Sequence, residues 1–311
     1  MKPITPVFKS TWIMSSCIII LLTFIVPITF VCAFPVPADI KKTIAFIYAP
    51  SDNKKILPNG TGFFIAVPNP QVKDGYIIYL VTAKHVLQKQ DKKSFFKFIL
   101  LRLNTKKGPA QIIPVNLFLE GANKNIYLHQ DPSVDLAIIP VHLDSGQYDY
   151  LALPSSMIIT KEDFTNLRVG EGTEVFFTGL FVPYVGKERN YPIVRFGKLA
   201  LVTDERIVCD GVETELYLME AASYGGNSGS PVFFQVGMEA LKPKSLILSG
   251  DPVIKLAGIM KGFFSDFQTI KIENTDTILV AQLNMGIAGV VPVHQLHEIL
   301  YGDELKQKRG F

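Results

Sequence analysis

Cysteine, histidine and tryptophan are scarce in this chain of 311 residues, which has three, five and one of them respectively. Cys17 and Cys32 lie in the first 33 residues, so removal of that segment would leave Cys209 alone. A single thiol excludes an internal disulfide framework. No cluster of His, Cys and Asp residues has the spacing of a metal site. We therefore expect neither a metal nor another cofactor.

Neither sign of charge dominates the sequence. It has 31 basic and 28 acidic residues, a net charge of +3, and no block rich in Lys or Arg. This balance argues against nucleic acid as a partner. The hydrophobic content of 48% is enough for a packed core, in either one large domain or two small ones.

The first 33 residues have the pattern of a secretory leader. Lys2 and Lys9 precede a mostly apolar run at 13–31, no acid is present, and Val31-Cys32-Ala33 resembles a cleavage site. The mature protein would then be residues 34–311, secreted or periplasmic. The alternative is an uncleaved membrane anchor formed by residues 12–33, since about 19 apolar residues nearly span a bilayer.

Long helical patterns are also rare, and short apolar runs between turns indicate an all-β chain. The first set of predicted strands is 43–48, 62–67, 76–82, 96–103, 111–120 and 134–141. After a connector at 142–169, the second set is 174–180, 193–202, 215–221, 230–234, 253–264 and 277–283, with a further piece at 286–291. Asn59-Gly60 predicts a hairpin turn. A helix is predicted only at 292–301, where Leu296, Ile299 and Leu300 share one face.

One turn combines small residues with a potential nucleophile. Tyr224-Gly225-Gly226-Asn227-Ser228-Gly229-Ser230-Pro231 lies between two apolar runs. Glycines allow unusual backbone angles and close approach, so such a turn can expose a serine hydroxyl beside converging N–H groups. A glycine-rich hairpin without chemistry is the alternative, because serine needs a base and an orienting acid to act as a nucleophile.

Two earlier segments offer those partners. His85 follows the strand predicted at 76–82, and Asp135 immediately precedes the apolar run Leu136-Ala137-Ile138-Ile139. Asp131 is a second candidate acid, but it lies before Pro132 in a predicted turn.

Four segments in this order, GTGFFIAV, VTAKHVL, DLAII and GNSGSP, resemble the trypsin-like serine proteases of the chymotrypsin superfamily. They are most similar to the HtrA-type branch, and the resemblance covers roughly residues 40–300. It implies two six-stranded antiparallel β-barrels with a short C-terminal helix. The N-terminal barrel would span 34–150, and the C-terminal barrel with the helix 166–301. HtrA-type proteins commonly carry a PDZ domain after the helix, and the polar tail at 302–311 is not expected to form one.

The resemblance also implies a role for each site residue. Ser228 would be the nucleophile, His85 the general base, and Asp135 the acid that orients His85, while the N–H groups of Gly226 and Ser228 would form the oxyanion hole. Protein or peptide substrates would contact Ala222 and Ser223 on one wall and pair with an edge strand at Met260, Lys261 and Gly262. Loops at 180–191 and 235–251 would border the cleft.

Three departures qualify this expectation. Lys261 occupies a position where a small residue is expected. No acid stands in the predicted specificity pocket, which disfavours cleavage after Arg or Lys and favours small or medium apolar side chains. Asn227 replaces an Asp that pairs with a new N-terminal amine in digestive relatives, so activation by that ion pair is not expected.

A secreted serine endopeptidase is the main prediction from the sequence, and an inactive protease-like binding module is the alternative.

Overall fold

The computed structural model describes residues 35–50, 55–119, 124–237, 252–271 and 278–310. The predicted leader at 1–33 and most of the predicted loop at 235–251 lie outside these ranges. Residues Pro35–Phe311 form one compact unit. Within the described ranges, no helix has both the length and the apolar character needed to cross a bilayer.

The first half of this unit is an eight-stranded sheet. Seven strands follow the order β5-β4-β1-β2-β3-β7-β6, and β8 pairs in parallel with β2. Their bounds are β1 Ile44–Pro50, β2 Ile56–Pro68, β3 Tyr76–Thr82, β4 Phe98–Leu103, β5 Gln111–Asn116, β6 Tyr127–Leu128, β7 Ala137–Pro140 and β8 Leu153–Pro154. All other pairings in the sheet are antiparallel.

The second half is a closed barrel of six antiparallel strands, in the order β10-β13-β16-β15-β14-β9. A separate two-stranded hairpin, β11-β12, is formed by the segment between β10 and β13. The bounds are β9 Glu174–Gly179, β10 Ile193–Leu201, β11 Ile207–Cys209, β12 Val212–Thr214, β13 Tyr217–Ala221, β14 Pro231–Val236, β15 Val253–Lys271 and β16 Ile278–Pro292.

The predicted all-β, chymotrypsin-like fold class is confirmed. The two halves differ in closure, because β5 and β6 at the ends of the first sheet do not pair with each other, so this half is a curled, open sheet. Residues 278–283 of the segment predicted at 277–283 and the piece predicted at 286–291 belong to a single strand, β16, and residue 277 lies outside the described residues.

The predicted hairpin at Asn59-Gly60 is wrong, because both residues lie inside β2. The strand bulges here, where its register with β1 shifts after Ile47. A Cβ on Gly60 would come within 2.7 Å of the Val86 side chain and 3.2 Å of the Ser228 carbonyl oxygen. The glycine therefore permits a close approach to the site and does not turn the chain.

In the described part of the chain, four short helices accompany the sheets: α1 Ala38–Lys42, α2 Lys161–Asn166, α3 Val293–Leu300 and α4 Asp303–Arg309. The predicted C-terminal helix is α3, and its predicted apolar face is buried at Leu296, Ile299 and Leu300. The predicted polar tail at 302–311 contains a helix, α4.

Helix α4 packs against the first sheet. Leu305 is buried, Arg309 Nη1 donates to the Tyr79 hydroxyl at 3.3 Å, and Lys308 Nζ donates to the Tyr127 hydroxyl. Tyr79 lies on β3 and Tyr127 on β6. The end of the described chain thus contacts its first half.

One apolar core joins the two halves. It contains Phe63 and Val81 of the first sheet together with Phe176 and Phe233 of the barrel, all fully buried. A smaller core fills the remaining side of the first sheet, around Phe64 and Leu80. The continuous packing fixes the first sheet against the barrel, which is what a site built from both halves requires.

A buried arginine also ties the halves together. Arg102 of β4 donates to the carbonyl oxygens of Val185, Gly186 and Lys187 and to Oδ1 of Asn190, at 2.7–3.0 Å. Asn190 Nδ2 returns a hydrogen bond to the Arg102 carbonyl oxygen at 2.6 Å. Much of the segment between β9 and β10, predicted to border the cleft, is therefore anchored on the first sheet.

Candidate active site

Strand register brings His85 and Asp135 together. Thr82, the last residue of β3, pairs with Ala137, the first residue of the antiparallel strand β7. His85 follows β3 in a 3-10 turn, Lys84–Leu87, and Asp135 precedes β7 by two residues. Because antiparallel strands place the end of one beside the start of the other, the two side chains meet at one edge of the sheet.

The Asp135 carboxylate holds His85 at two points. Its Oδ1 accepts the His85 backbone N–H at 2.9 Å, and its Oδ2 lies 2.6 Å from Nδ1 of the ring. Burial opposes ionisation of Asp135, but the charge and hydrogen bonds of His85, together with the charge of Lys261, outweigh it and hold the pKa of Asp135 well below its ordinary value. The carboxylate is therefore ionised, and in the neutral form of the His85 ring a bond from Nδ1–H to this carboxylate leaves Nε2 free to accept a proton.

The rival acid, Asp131, faces a different partner. Its carboxylate accepts from the Ser133 backbone N–H at 2.8 Å and from Arg206 Nη2 at 2.5 Å. Hydrogen bonds from Ser133 and Arg206 lower the pKa of Asp131 to about 2. The Asp131 carboxylate is therefore paired with Arg206 and not with the His85 ring.

Ser228 lies on the turn between β13 and β14, which backbone hydrogen bonds define closely. Asn227 N–H donates to the Tyr224 carbonyl, Ser230 N–H to the Asn227 carbonyl, and Gly229 N–H to the Met260 carbonyl, at 2.8–3.0 Å. The Ser228 carbonyl accepts from the Thr61 N–H of β2 at 2.9 Å. The first sheet thus fixes the position of the serine.

The turn leaves backbone donors unused. Among the hydrogen bonds of the described residues, neither the Gly226 nor the Ser228 N–H donates to a protein acceptor. Gly226 has a φ of +94°, a conformation suited to glycine. These are the donors predicted for an oxyanion hole, and both are available to a ligand.

The Ser228 hydroxyl donates to the Lys261 carbonyl oxygen at 2.9 Å. Within the described part of the chain, it makes no hydrogen bond to His85. Hydroxyl groups reorient on the picosecond-to-nanosecond timescale, so this bond describes a resting arrangement.

Thr61 is a site residue that the sequence analysis missed. Its buried hydroxyl donates to the Gly226 carbonyl oxygen at 2.7 Å and accepts from the Leu180 N–H at 2.9 Å. Its own carbonyl oxygen accepts from the Thr82 hydroxyl at 2.7 Å. Thr61 therefore holds the peptide that follows Gly226. A threonine inside a strand gave no sequence signal for this contact, since its partner lies 165 residues away.

The residues predicted to bind substrate occupy different environments. Ala222 is exposed and Gly262 is half-buried, while Ser223 and Met260 are fully buried, with Ser223 Oγ 3.6 Å from Met260 Sδ. The Lys261 side chain is directed toward Asp135. The Met260 N–H and carbonyl are already bonded to the Ser230 carbonyl and the Gly229 N–H, so strand pairing with a substrate is not open to Met260. Substrate binding by the rest of this set stays a prediction.

An apolar crevice of about 340 Å³ adjoins the turn. Its walls include Phe181, Val182, Tyr224 and Gly225, and Arg195 stacks over the Tyr224 ring at 5.0 Å. The crevice is large enough for an apolar side chain, and Gly225 and Asn227 of the turn form part of its wall.

Comparison with known proteins identifies the family of this chain. The trypsin-like peptidase domain family matches residues 60–237, which is more than half of the chain. The chain belongs to this family. The family resemblance seen in the sequence is thus confirmed, while assignment to the HtrA-type branch stays a prediction. A search of curated proteins found no match.

The solved structures to which this trypsin-like peptidase domain is similar are distant from it in sequence. The MamO protease domain from Magnetospirillum magneticum in its apo form is 15% identical, with 84% of this chain and 97% of that chain covered and a TM-score of 0.46. The Rv3671c protease in an inactive form is 14% identical, with 90% and 98% covered and a TM-score of 0.42. A serine-to-alanine mutant of Rv3671c from M. tuberculosis H37Rv is 15% identical, with 90% and 97% covered and a TM-score of 0.38.

Asn227 of this peptidase domain is buried and serves the turn itself. Its Oδ1 accepts from the Tyr224 N–H at 3.0 Å, and its Nδ2 donates to the Leu180 carbonyl oxygen at 2.9 Å. The amide therefore links the turn to the segment after β9. Asn227 therefore stabilises the turn through these hydrogen bonds, without an ion pair to an N-terminal amine.

Cys209 is free and buried at the end of β11. Burial raises the pKa of its thiol, which keeps it protonated and unreactive. Within the described ranges, no group of three or more His, Cys, Asp or Glu side chains is arranged to hold a metal ion.

Proposed function

We propose that this trypsin-like peptidase is a serine endopeptidase that hydrolyses peptide bonds through His85, Asp135 and Ser228. The observation that carries the proposal is the His85–Asp135 pair, with 2.6 Å between Nδ1 and Oδ2, in the same site as a serine flanked by unused N–H donors. Export through the predicted leader, to the outside of the cell or the periplasm, is part of the proposal.

The mechanism follows from the position of each group. Ser228 Oγ attacks the scissile carbonyl carbon while His85 Nε2 takes the hydroxyl proton, and Asp135 stabilises the imidazolium that forms. The negative oxygen of the intermediate accepts from the Gly226 and Ser228 N–H groups, each of which contributes about 3 kcal/mol to transition-state stabilisation. His85 then donates its proton to the leaving amine, and water hydrolyses the acyl-enzyme by the same steps.

Substrate preference is proposed from the apolar crevice. Its walls offer no carboxylate, and among its lining residues only Arg195 carries a charge. A protein segment that presents a small or medium apolar side chain near the cleavage point fits best.

One observation favours the alternative of an inactive binding module. The Ser228 hydroxyl is hydrogen-bonded to Lys261 instead of His85. If that arrangement persisted with a ligand bound, the serine would have no base.

A fluorophosphonate probe separates the two functions without knowledge of the substrate. Ser228 Oγ bonds to phosphorus as fluoride leaves and His85 takes the proton, so labelling requires an activated serine. We expect covalent labelling that mass spectrometry locates at Ser228 and that His85→Ala abolishes. A folded wild-type protein that resists labelling would support the binding module.

Thr61→Val should slow this labelling by roughly ten- to a hundredfold, because the oxyanion turn loses the hydroxyl that holds the Gly226 carbonyl. Thr61→Ser should restore most of the rate. Thr43→Val provides a matched control, since it removes a buried threonine hydroxyl that bonds to the Ile40 carbonyl and not to the turn. Equal labelling rates for Thr61→Val and Thr43→Val would contradict the assigned role of Thr61.

A further inference from the structure

Lys261 enters the site because β15 bulges at this residue. The register between β15 and β16 shifts between Met260 and Gly262, so Lys261 has no opposite partner in the strand pair. A bulge redirects a side chain relative to the pleat. The Lys261 side chain is 12% exposed and extends toward the His85–Asp135 pair.

The ammonium group and the imidazole ring share one carboxylate oxygen. Lys261 Nζ lies 3.4 Å from Asp135 Oδ2, the same oxygen that lies 2.6 Å from His85 Nδ1. When His85 takes a proton, two positive groups then face a single negative one. Removal of nearly all water from Lys261 and Asp135 strengthens this interaction over its value at an exposed surface.

Other charged groups near the His85–Asp135 pair either lie farther from Lys261 or already bond to other residues. Asp210, on the exposed turn of the β11-β12 hairpin, lies 4.0 Å from Lys261 Nζ. Lys84 Nζ donates to the Pro132 carbonyl oxygen at 2.6 Å. The remaining titratable or charged groups nearby are Asp131 with its partner Arg206, the buried thiol of Cys209, and Lys92.

We propose that Lys261 is a positioning residue that opposes protonation of His85 through their shared contact with Asp135, and so extends activity to lower pH. The inference rests on the proposed serine peptidase function and adds regulation of the same site. Repulsion between the ammonium and the imidazolium raises the free energy of the protonated ring. His85 therefore stays available as a base at a proton concentration that would block it if residue 261 were neutral.

The rate of fluorophosphonate labelling as a function of pH tests the proposal. Lys261→Met removes the charge and keeps the length of the side chain, and the acid midpoint of the profile should rise by about one pH unit. At pH values below both midpoints, the variant would then label at roughly a tenth of the wild-type rate, relative to its own plateau. Lys261→Arg keeps the charge and should stay within about 0.3 units of wild type.

Lys255→Met is the matched control. Lys255 is on the same strand but pairs with Asp163 at 3.1 Å, so its loss should leave the acid midpoint in place. A lower plateau with an unchanged midpoint in Lys261→Met would indicate a structural role only and would overturn the proposal.

Asp210→Asn decides the question if the Lys261 variants do not fold. It removes the second carboxylate near Lys261 on an exposed turn, which increases the effect of the ammonium on the His85–Asp135 pair. The acid midpoint should then fall by a few tenths of a unit, and no fall would overturn the proposal. Failure of the wild-type protein to label at any pH would instead overturn the peptidase function itself.

Discussion

Ser228→Ala should lower peptide-bond hydrolysis by roughly three to six orders of magnitude, because it removes the atom that forms the acyl-enzyme. Its melting temperature should remain nearly unchanged, since the hydroxyl makes a single hydrogen bond in the described structure, to the Lys261 carbonyl. Turnover of a fluorescent casein and thermal unfolding would be measured on the same preparation.

Ser230→Ala is the appropriate comparison, because Ser230 belongs to the same turn, is fully buried, and its hydroxyl has no hydrogen-bond partner in the described structure. We expect it to keep casein turnover close to wild type. If Ser228→Ala retained more than a tenth of wild-type turnover, Ser228 would not be the nucleophile.

Gly229→Ala should destabilise the protein by about 2 to 5 kcal/mol and eliminate labelling of Ser228. Gly229 has a φ of +85°, and a Cβ at this position would lie 2.1 Å from the Thr61 carbonyl oxygen and 2.4 Å from the Thr82 hydroxyl. The turn would have to move away from the first sheet, and Ser228 would move with it. Urea unfolding measures the loss of free energy.

Gly211→Ala separates the cost of the left-handed backbone from the cost of the steric clash with the first sheet. Gly211 has a φ of +76°, but a Cβ there would meet nothing within 4 Å. This variant should therefore lose only the cost of the left-handed backbone, about 1 to 2 kcal/mol. Similar losses in both glycine variants would show that close approach to Thr61 contributes little.

The positions of the three candidate side chains could be predicted because each adjoins a recognisable strand or turn. His85 follows an apolar strand, Asp135 precedes one, and Ser228 lies among glycines. Pairing of β3 with β7 then brings the first two together. Local patterns mark the ends of strands, so the sequence was sufficient to predict that His85 and Asp135 lie close together.

Turn dipeptides show where local patterns fail. Asn59-Gly60 was predicted as a hairpin and lies inside β2, whereas Asp210-Gly211 does form the turn between β11 and β12 and was not predicted. Both residues of the second pair have positive φ, as a tight hairpin requires. Gly60 serves a different purpose, because it allows β2 to approach Val86 and Ser228 closely. Local patterns do not show this contact, since its partners are distant in sequence.

The environment of Lys261 could not be predicted either. Its position on an edge of the cleft suggested contact with a substrate, but the side chain's direction depends on a bulge in the β15-β16 pairing. A one-residue shift in register is invisible in a run of apolar and small residues. The open edges of the first sheet were not distinguished from a closed barrel, because strand patterns alone do not show whether the terminal strands β5 and β6 pair with each other.

The docking of α4 onto β3 and β6 has a consequence for biosynthesis. Domains emerge and fold from the N-terminal side as the chain is made, and α4 follows every other described element. A nascent chain that has exposed β3 and β6 still lacks the Ser228 turn and the helix that binds Tyr79 and Tyr127. His85 and Asp135 are therefore synthesised before both Ser228 and α4. The first sheet can complete its packing only after the whole described chain has been made.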